Sequence, residues 1–161
     1  MAERTGPSER DESPSERADR NLNELLGELR VALPGVQVLF AFLLIVPFNQ
    51  RFADVNAFQE KVYFGVLLCS TLAAALLIAP SMHHRIEFRQ GDKDHIVKVA
   101  NKLTIAGLTL LAVAMTGVIV LITDFVFESV MTAVAAGAVA LTFAWLWYAM
   151  PLLRLRELER D

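Results

Sequence analysis

Long apolar segments alternate with polar ones along this chain of 161 residues. Residues 103–123 are 21 consecutive residues without a charge, and residues 129–150 are 22 more. A helix of about 20 apolar residues is long enough to cross roughly 30 Å of hydrocarbon. Only five residues separate the two segments. They therefore predict an antiparallel transmembrane hairpin, because the backbone must satisfy its hydrogen bonds internally in lipid.

Two further apolar segments precede this hairpin. Residues 31–48 form the first predicted span, and Pro34 with Gly35 near its start indicates a kink or break. Residues 62–79 form the second predicted span, which Pro80 is expected to end. The pattern predicts an all-α polytopic membrane protein, with four transmembrane helices in a bundle at residues 31–48, 62–79, 103–123 and 129–150.

The chain before the first span has two parts. Residues 1–18 are rich in Ser, Pro, Glu and Arg and nearly free of large apolar side chains, which predicts a disordered cytoplasmic arm. From residue 19 onwards leucines recur at helical spacing, with polar residues opposite them. We expect an N-terminal amphipathic helix along the inner membrane surface, and a membrane domain of residues 19–161. The leucines are Leu22, Leu25, Leu26, Leu29 and Leu33.

Lysine and arginine are distributed unevenly between the two predicted membrane faces. Thirteen lie before span one, between spans two and three, or after span four. The other face has two, Arg51 and Lys61. The positive-inside rule therefore predicts a multi-pass protein of the bacterial inner membrane with both termini in the cytoplasm. Almost nothing projects outside, which excludes a receptor ectodomain or an extracellular enzyme.

The composition agrees with a membrane protein and offers few chemical groups for catalysis. Hydrophobic residues make up 55% of the chain, and its one cysteine, Cys69, lies in an apolar segment. The sequence contains no phosphate-binding glycine loop and no Ser/His/Asp or Cys/His arrangement. Its basic loop also lacks the aromatic residues expected of a nucleic-acid site. We therefore expect no enzymatic activity, no cofactor and no nucleic-acid partner.

Polar side chains within or beside the spans are the candidate functional positions. Charges are absent from the middle of every span, whereas ion-coupled transporters normally place a carboxylate near the midplane. Gln37 either bridges helices by hydrogen bonds or lines a polar path. Asp124 and Glu128 lie at the outer turn, either as solvated residues or as carboxylates where an ion enters. Hydroxyl groups that can bond to their own helix backbone are those of Ser70, Thr71, Thr104, Thr109, Thr116 and Thr142.

Small residues recur in spans three and four. Gly107 and Gly117 lie in span three, and Ala133 and Gly137 are four residues apart in span four. Small residues let helix backbones approach closely in lipid. The pattern predicts a compact bundle or self-association.

The loop between spans two and three carries the most distinctive polar cluster, His83, His84 and Arg85, with Arg89 four residues further on. It is either a basic loop that sets the topology or a site for an anionic lipid head group or a partner. With His95 it offers imidazoles for a metal. Adjacent histidines point to different sides of a helix, however, and no i, i+4 pair supports them, so no metal is expected.

Two stretches resemble a known family. They read ERADRNLNELLGELRVALPGVQVLFAFLLIVPFNQRF and HHRIEFRQGDKDHIVKVANKL, and the resemblance covers residues 16–152. The chain resembles small uncharacterised four-helix integral membrane proteins found largely in actinobacteria, some of which carry an automatic sodium/proton antiporter label. The resemblance implies the four-helix fold and supplies no functional residues. The lack of a midplane carboxylate argues against antiport.

The expected function is that of a non-enzymatic membrane component. It would act through membrane lipids, through a second copy of itself in a homo-oligomer, or through another membrane protein. The alternative is a small oligomeric transporter or channel subunit for a cation or proton.

Overall fold

A computed structural model describes residues 13–87, 93–127, 129–158 and 160. The elements are α1 (Pro14–Ile45), 3-10 turns at Val46–Phe48 and Gln50–Asp54, α2 (Ala57–Glu87), α3 (Lys93–Val126), α4 (Ser129–Ala144), a π-helical turn (Trp145–Ala149) and α5 (Met150–Leu158). Four of the helical segments are long and apolar enough to cross a membrane. The predicted all-α, four-span architecture is confirmed, and it indicates a multi-pass membrane protein.

The first helix begins earlier than the boundary predicted at residue 18. The Ser13 hydroxyl accepts from the Glu16 N–H at 3.3 Å, and the Glu16 carboxylate accepts from the Ser13 N–H at 2.9 Å. This capping box, together with Pro14 at the first helical position, starts the helix. Residues 14–18 are therefore helical, and the rest of the predicted arm, residues 1–12, lies outside the described residues.

The predicted break at Pro34 is wrong, since α1 is one helix of 32 residues. Pro34 itself is exposed, while Leu29 and Val36 on either side of it are buried in one cluster with Leu77 of α2. Packing of both flanks against the same neighbour holds the helix through the proline. At about 1.5 Å per residue, α1 is ~48 Å long, more than the hydrocarbon thickness.

The leucine stripe is amphipathic as predicted, but it faces a helix and not a membrane surface. Leu22 is buried with Ile96 and Ala100 at the start of α3. Hydrophobic periodicity indicates that one face of a helix is buried, but it does not indicate whether lipid or another helix buries that face. The N-terminal part of α1 is therefore packed against α3.

The second and third helices pack most closely. A Cβ atom added at Gly107 of α3 would lie 2.8 Å from Cγ of Leu77 in α2, and one added at Gly117 would collide with Val66. Glycine at these positions lets the two backbones approach. In α2, Pro80 is buried and the helix continues to Glu87, eight residues past the predicted end at residue 79.

The fourth helix lies at the edge of the bundle. Within the described ranges, α4 packs on α3 and contacts neither α1 nor α2. The hydroxyls of Thr109 in α3 and Tyr148 in the π-helical turn form a hydrogen bond. Gly137 of α4 has open space where a side chain would point. The fold is thus a three-helix core of α1, α2 and α3, with α4 attached along α3.

Candidate functional site

The end of α1 and the start of α2 are joined through a buried tyrosine. The Tyr63 hydroxyl donates to the main-chain carbonyl of Leu43 at 2.9 Å. The ring of Phe52, in the second 3-10 turn, packs edge-on against Tyr63 with centroids 5.4 Å apart. A backbone acceptor that is buried in lipid needs a donor from within the protein, and Tyr63 supplies one.

A polar cluster at the same end holds Asp124. Gln59 is buried and donates from Nε2 to the Asp124 carboxylate at 3.0 Å, which joins α2 to α3. The Gln59 side-chain oxygen accepts from the Asn56 N–H at 3.1 Å. The Asn56 side chain in turn accepts from the Gln59 N–H at 2.9 Å. Asp124 is therefore a partner in a helix-end network, and Glu128 lies outside the described residues.

Gln37 has a different environment. It is exposed on α1, beside the fully buried Val36, and has no hydrogen-bond partner among the described residues. Asn49, in the connection to α2, is twelve residues away, or about 18 Å along the chain. Arg30, towards the N-terminus, is seven residues away, or about 10 Å. The amide therefore lies within the apolar part of the span and faces away from the three-helix core.

Two residues of the predicted basic cluster, His83 and Arg85, have described side chains. Arg85 is exposed near the end of α2, and His83, two residues earlier, points to a different side of the helix. His83 lines an apolar cleft of about 480 Å³ with Ile78, Met82 and others of its own helix. The side chain of His84 and all of Arg89 lie outside the described residues. Within the described ranges, no three His, Cys, Asp or Glu side chains are placed to hold a metal ion.

Most of the intramembrane hydroxyls behave as predicted. Those of Thr71, Thr109, Thr116 and Thr142 donate to the carbonyl four residues earlier, at 2.7–2.8 Å. Ser70 and Thr104 are buried and have no hydrogen-bond partner among the described residues. No described carboxylate accompanies these hydroxyls inside the bundle.

Residues 11–151 of the chain match the family of unknown function DUF6328. The chain belongs to this family. No curated protein and no solved structure matches it. The matched residues extend over the four spans, and the family description assigns no activity. The functional argument therefore rests on the polar positions described above.

Sequence reasoning missed the polar contacts at the end of this DUF6328 chain where α1 ends and α2 begins. Asn56 and Gln59 have the spacing of a helix-capping box, which predicts their mutual hydrogen bonds. Pro47 lies four residues after Leu43 and has no N–H to donate, so the sequence already marks a carbonyl that needs another partner. That Tyr63 and Asp124 provide the tertiary contacts depends on helix packing, which the sequence pattern does not reveal.

Proposed function

We propose that the protein is a non-enzymatic membrane component that works by associating with other membrane proteins, first of all with a second copy of itself. The observation that supports this proposal most strongly is the position of Gln37. Its primary amide is exposed inside an apolar span and has no hydrogen-bond partner among the described residues. Amides without hydrogen bonds are unfavourable in hydrocarbon. Association would supply the missing bonds.

A second copy suits this amide because the carboxamide is both a donor and an acceptor. Two Gln37 side chains related by a two-fold axis would each donate to the other. Interhelical hydrogen bonds of this kind contribute about 0.6–2 kcal/mol in membranes. Ala41, one turn further along the same side of α1, is exposed and small, which supports close approach of two α1 helices.

The unequal charge distribution supports an inner-membrane location with both termini in the cytoplasm. Thirteen lysines and arginines belong to one face and two to the other. In this orientation the exposed Arg85, and the rest of the cluster with His83, His84 and Arg89, would lie near anionic lipid head groups. Reporter fusions at residues 1 and 161 should both indicate the cytoplasm, and a periplasmic signal from either would contradict this topology.

The alternative is an oligomeric cation or proton channel in which Gln37 faces a shared axis. Such a path would have one amide per subunit and no titratable group beside it, which is poor support for proton coupling. Purified protein in liposomes should conduct no Na⁺ or H⁺ above empty controls. Flux that depends on a pH gradient and falls in Gln37→Leu would favour the channel.

Disulfide cross-linking in native membranes tests the proposed contact. In a Cys69→Ala background, Ala41→Cys lies on the Gln37 side of α1, and Phe42→Cys lies on another exposed side, about 140° around the helix from Gln37. Oxidation should yield a covalent dimer from Ala41→Cys and little from Phe42→Cys. Adding Gln37→Leu to the Ala41→Cys variant should reduce the dimer several-fold. Equal cross-linking at the two positions, or no effect of Gln37→Leu, would refute association through this face.

A further inference from the structure

A cleft opens at the outer end of the molecule, between the 3-10 turns that follow α1 and the last turns of α3. Its volume is about 250 Å³. Seven of its nine lining residues are apolar, among them Val46, Phe52, Val55, Leu121, Ile122 and Phe125. It is smaller than the roughly 300–1,000 Å³ of ordinary ligand pockets, so it suits a slender chain better than a ring system.

Two polar residues, Asn49 and Arg51, also line the cleft. The Asn49 side chain accepts from the Arg51 N–H at 3.1 Å and fixes the turn that carries the arginine. Arg51 is exposed, and no carboxylate among the described residues forms an ion pair with it. The nearby Asp124 is already bonded to Gln59. The guanidinium is therefore available to an anion from outside the chain.

The cation of the cleft lies at the membrane face, and the apolar wall lies further into the span. A phospholipid has its phosphate and its acyl chains in the same order. Asn49 and Arg51 belong to the polar connection that follows the first span, where lipid phosphates lie. Leu121 and Ile122 precede Asp124 and belong to the membrane-spanning part of α3. A guanidinium binds phosphate through two parallel hydrogen bonds. An apolar cleft leading inward from that position is suited to an acyl chain.

We propose that this cleft binds one anionic phospholipid of the outer leaflet, with its phosphate on Arg51 and part of one acyl chain between the 3-10 turns and α3. The binding is independent of association through Gln37, which lies on α1 about 18 Å away along the chain from Asn49. Net negative charge on the lipid favours it over a zwitterionic lipid, because Arg51 is the only charged residue in the described lining.

Quenching of a single tryptophan by brominated lipid tests the proposal. The full chain carries Trp145→Phe and Trp147→Phe, and then Phe125→Trp as the reporter in the cleft. Val130→Trp is the matched control, because Val130 is 74% exposed on α4 and does not line the cleft. Detergent-solubilised protein is titrated with phosphatidylglycerol brominated along its acyl chains, and in parallel with brominated diacylglycerol, which lacks the phosphate.

Phosphatidylglycerol should quench the Phe125→Trp reporter with saturation at about one lipid per chain, and the control should show only a gradual decrease. Diacylglycerol should need at least five times the concentration of phosphatidylglycerol to quench the reporter to the same extent. Arg51→Gln should abolish that difference between the two lipids. Ile122→Trp serves as a second reporter if Phe125→Trp does not fold. Equal quenching of reporter and control would overturn the lipid site. Equal affinity for both lipids, or no effect of Arg51→Gln, would overturn the role of the phosphate.

Discussion

The Tyr63 hydroxyl in α2 bonds to the Leu43 carbonyl of α1, at the position where the helix backbone of α1 cannot supply its own donor. In an α-helix this carbonyl would accept from the residue four positions on, which is Pro47. Proline has no N–H. The tertiary contact between the first two spans thus compensates for a local defect, and the end of α1 depends on α2.

Replacing Tyr63 with phenylalanine should therefore destabilise the fold. The ring and its packing against Phe52 would remain, while the buried carbonyl would lose its donor, at a cost of about 1–3 kcal/mol. Unfolding by dodecyl sulfate in mixed micelles, followed by circular dichroism, measures the loss. Tyr148→Phe is the control and should cost less, because its partner Thr109 is exposed and also bonds to its own helix. Equal losses would contradict this account of Tyr63.

The hydrogen bond between Gln59 and Asp124 should behave as a coupled pair. Gln59→Ala and Asp124→Ala each remove one partner and should each destabilise the protein by about 1–3 kcal/mol. The double variant should lose less than the sum, with an interaction free energy of about 0.5–3 kcal/mol. The same unfolding assay measures the cycle, and Asp54→Ala, an exposed carboxylate at the same end, is the control. Additive losses would show that the contact does not join α2 to α3.

Two glycines should respond in opposite ways to alanine. Gly107→Ala should destabilise by about 1–3 kcal/mol, because the added Cβ would lie against Leu77, which is fully buried and has no room to move. Gly137→Ala should be neutral or stabilise by up to about 1 kcal/mol, since its surroundings are open and alanine favours a helix. Thermal unfolding of the detergent-solubilised variants measures both. A smaller effect of Gly107→Ala in a Leu77→Ala background would confirm the steric cause.

The sequence was sufficient to predict four helices able to span a membrane, because an uncharged segment of about 20 residues has few alternatives to crossing one. The sequence was insufficient to predict which helix faces pack together, because a membrane helix is apolar both where it contacts lipid and where it contacts protein. The stripe containing Leu22 was thus assigned to a membrane surface, although α3 covers it. The edge position of α4 was not predicted for the same reason.

Local chemistry was easier to predict than tertiary position. The threonines that bond to their own helix follow from the sequence alone. The capping pair Asn56 and Gln59 was not predicted, although its spacing carries the signal. The exposure of Gln37 does not follow from sequence, because one polar residue in a span fits an inward-facing or an outward-facing position equally well. The helix packing places it on the outside of the core.

The strength of self-association in lipid tests the central proposal most directly. Single-molecule photobleaching in liposomes of increasing lipid-to-protein ratio gives the dissociation constant for wild type, for Gln37→Leu and for the control Phe42→Leu, whose side chain lies on another exposed side of α1. A bond of about 0.6–2 kcal/mol corresponds to a roughly 3- to 30-fold change. We expect wild type and Phe42→Leu to dimerise alike and Gln37→Leu to dimerise that much more weakly. A wild type that stays monomeric, or a Gln37→Leu variant that dimerises as well as wild type, would contradict association through Gln37.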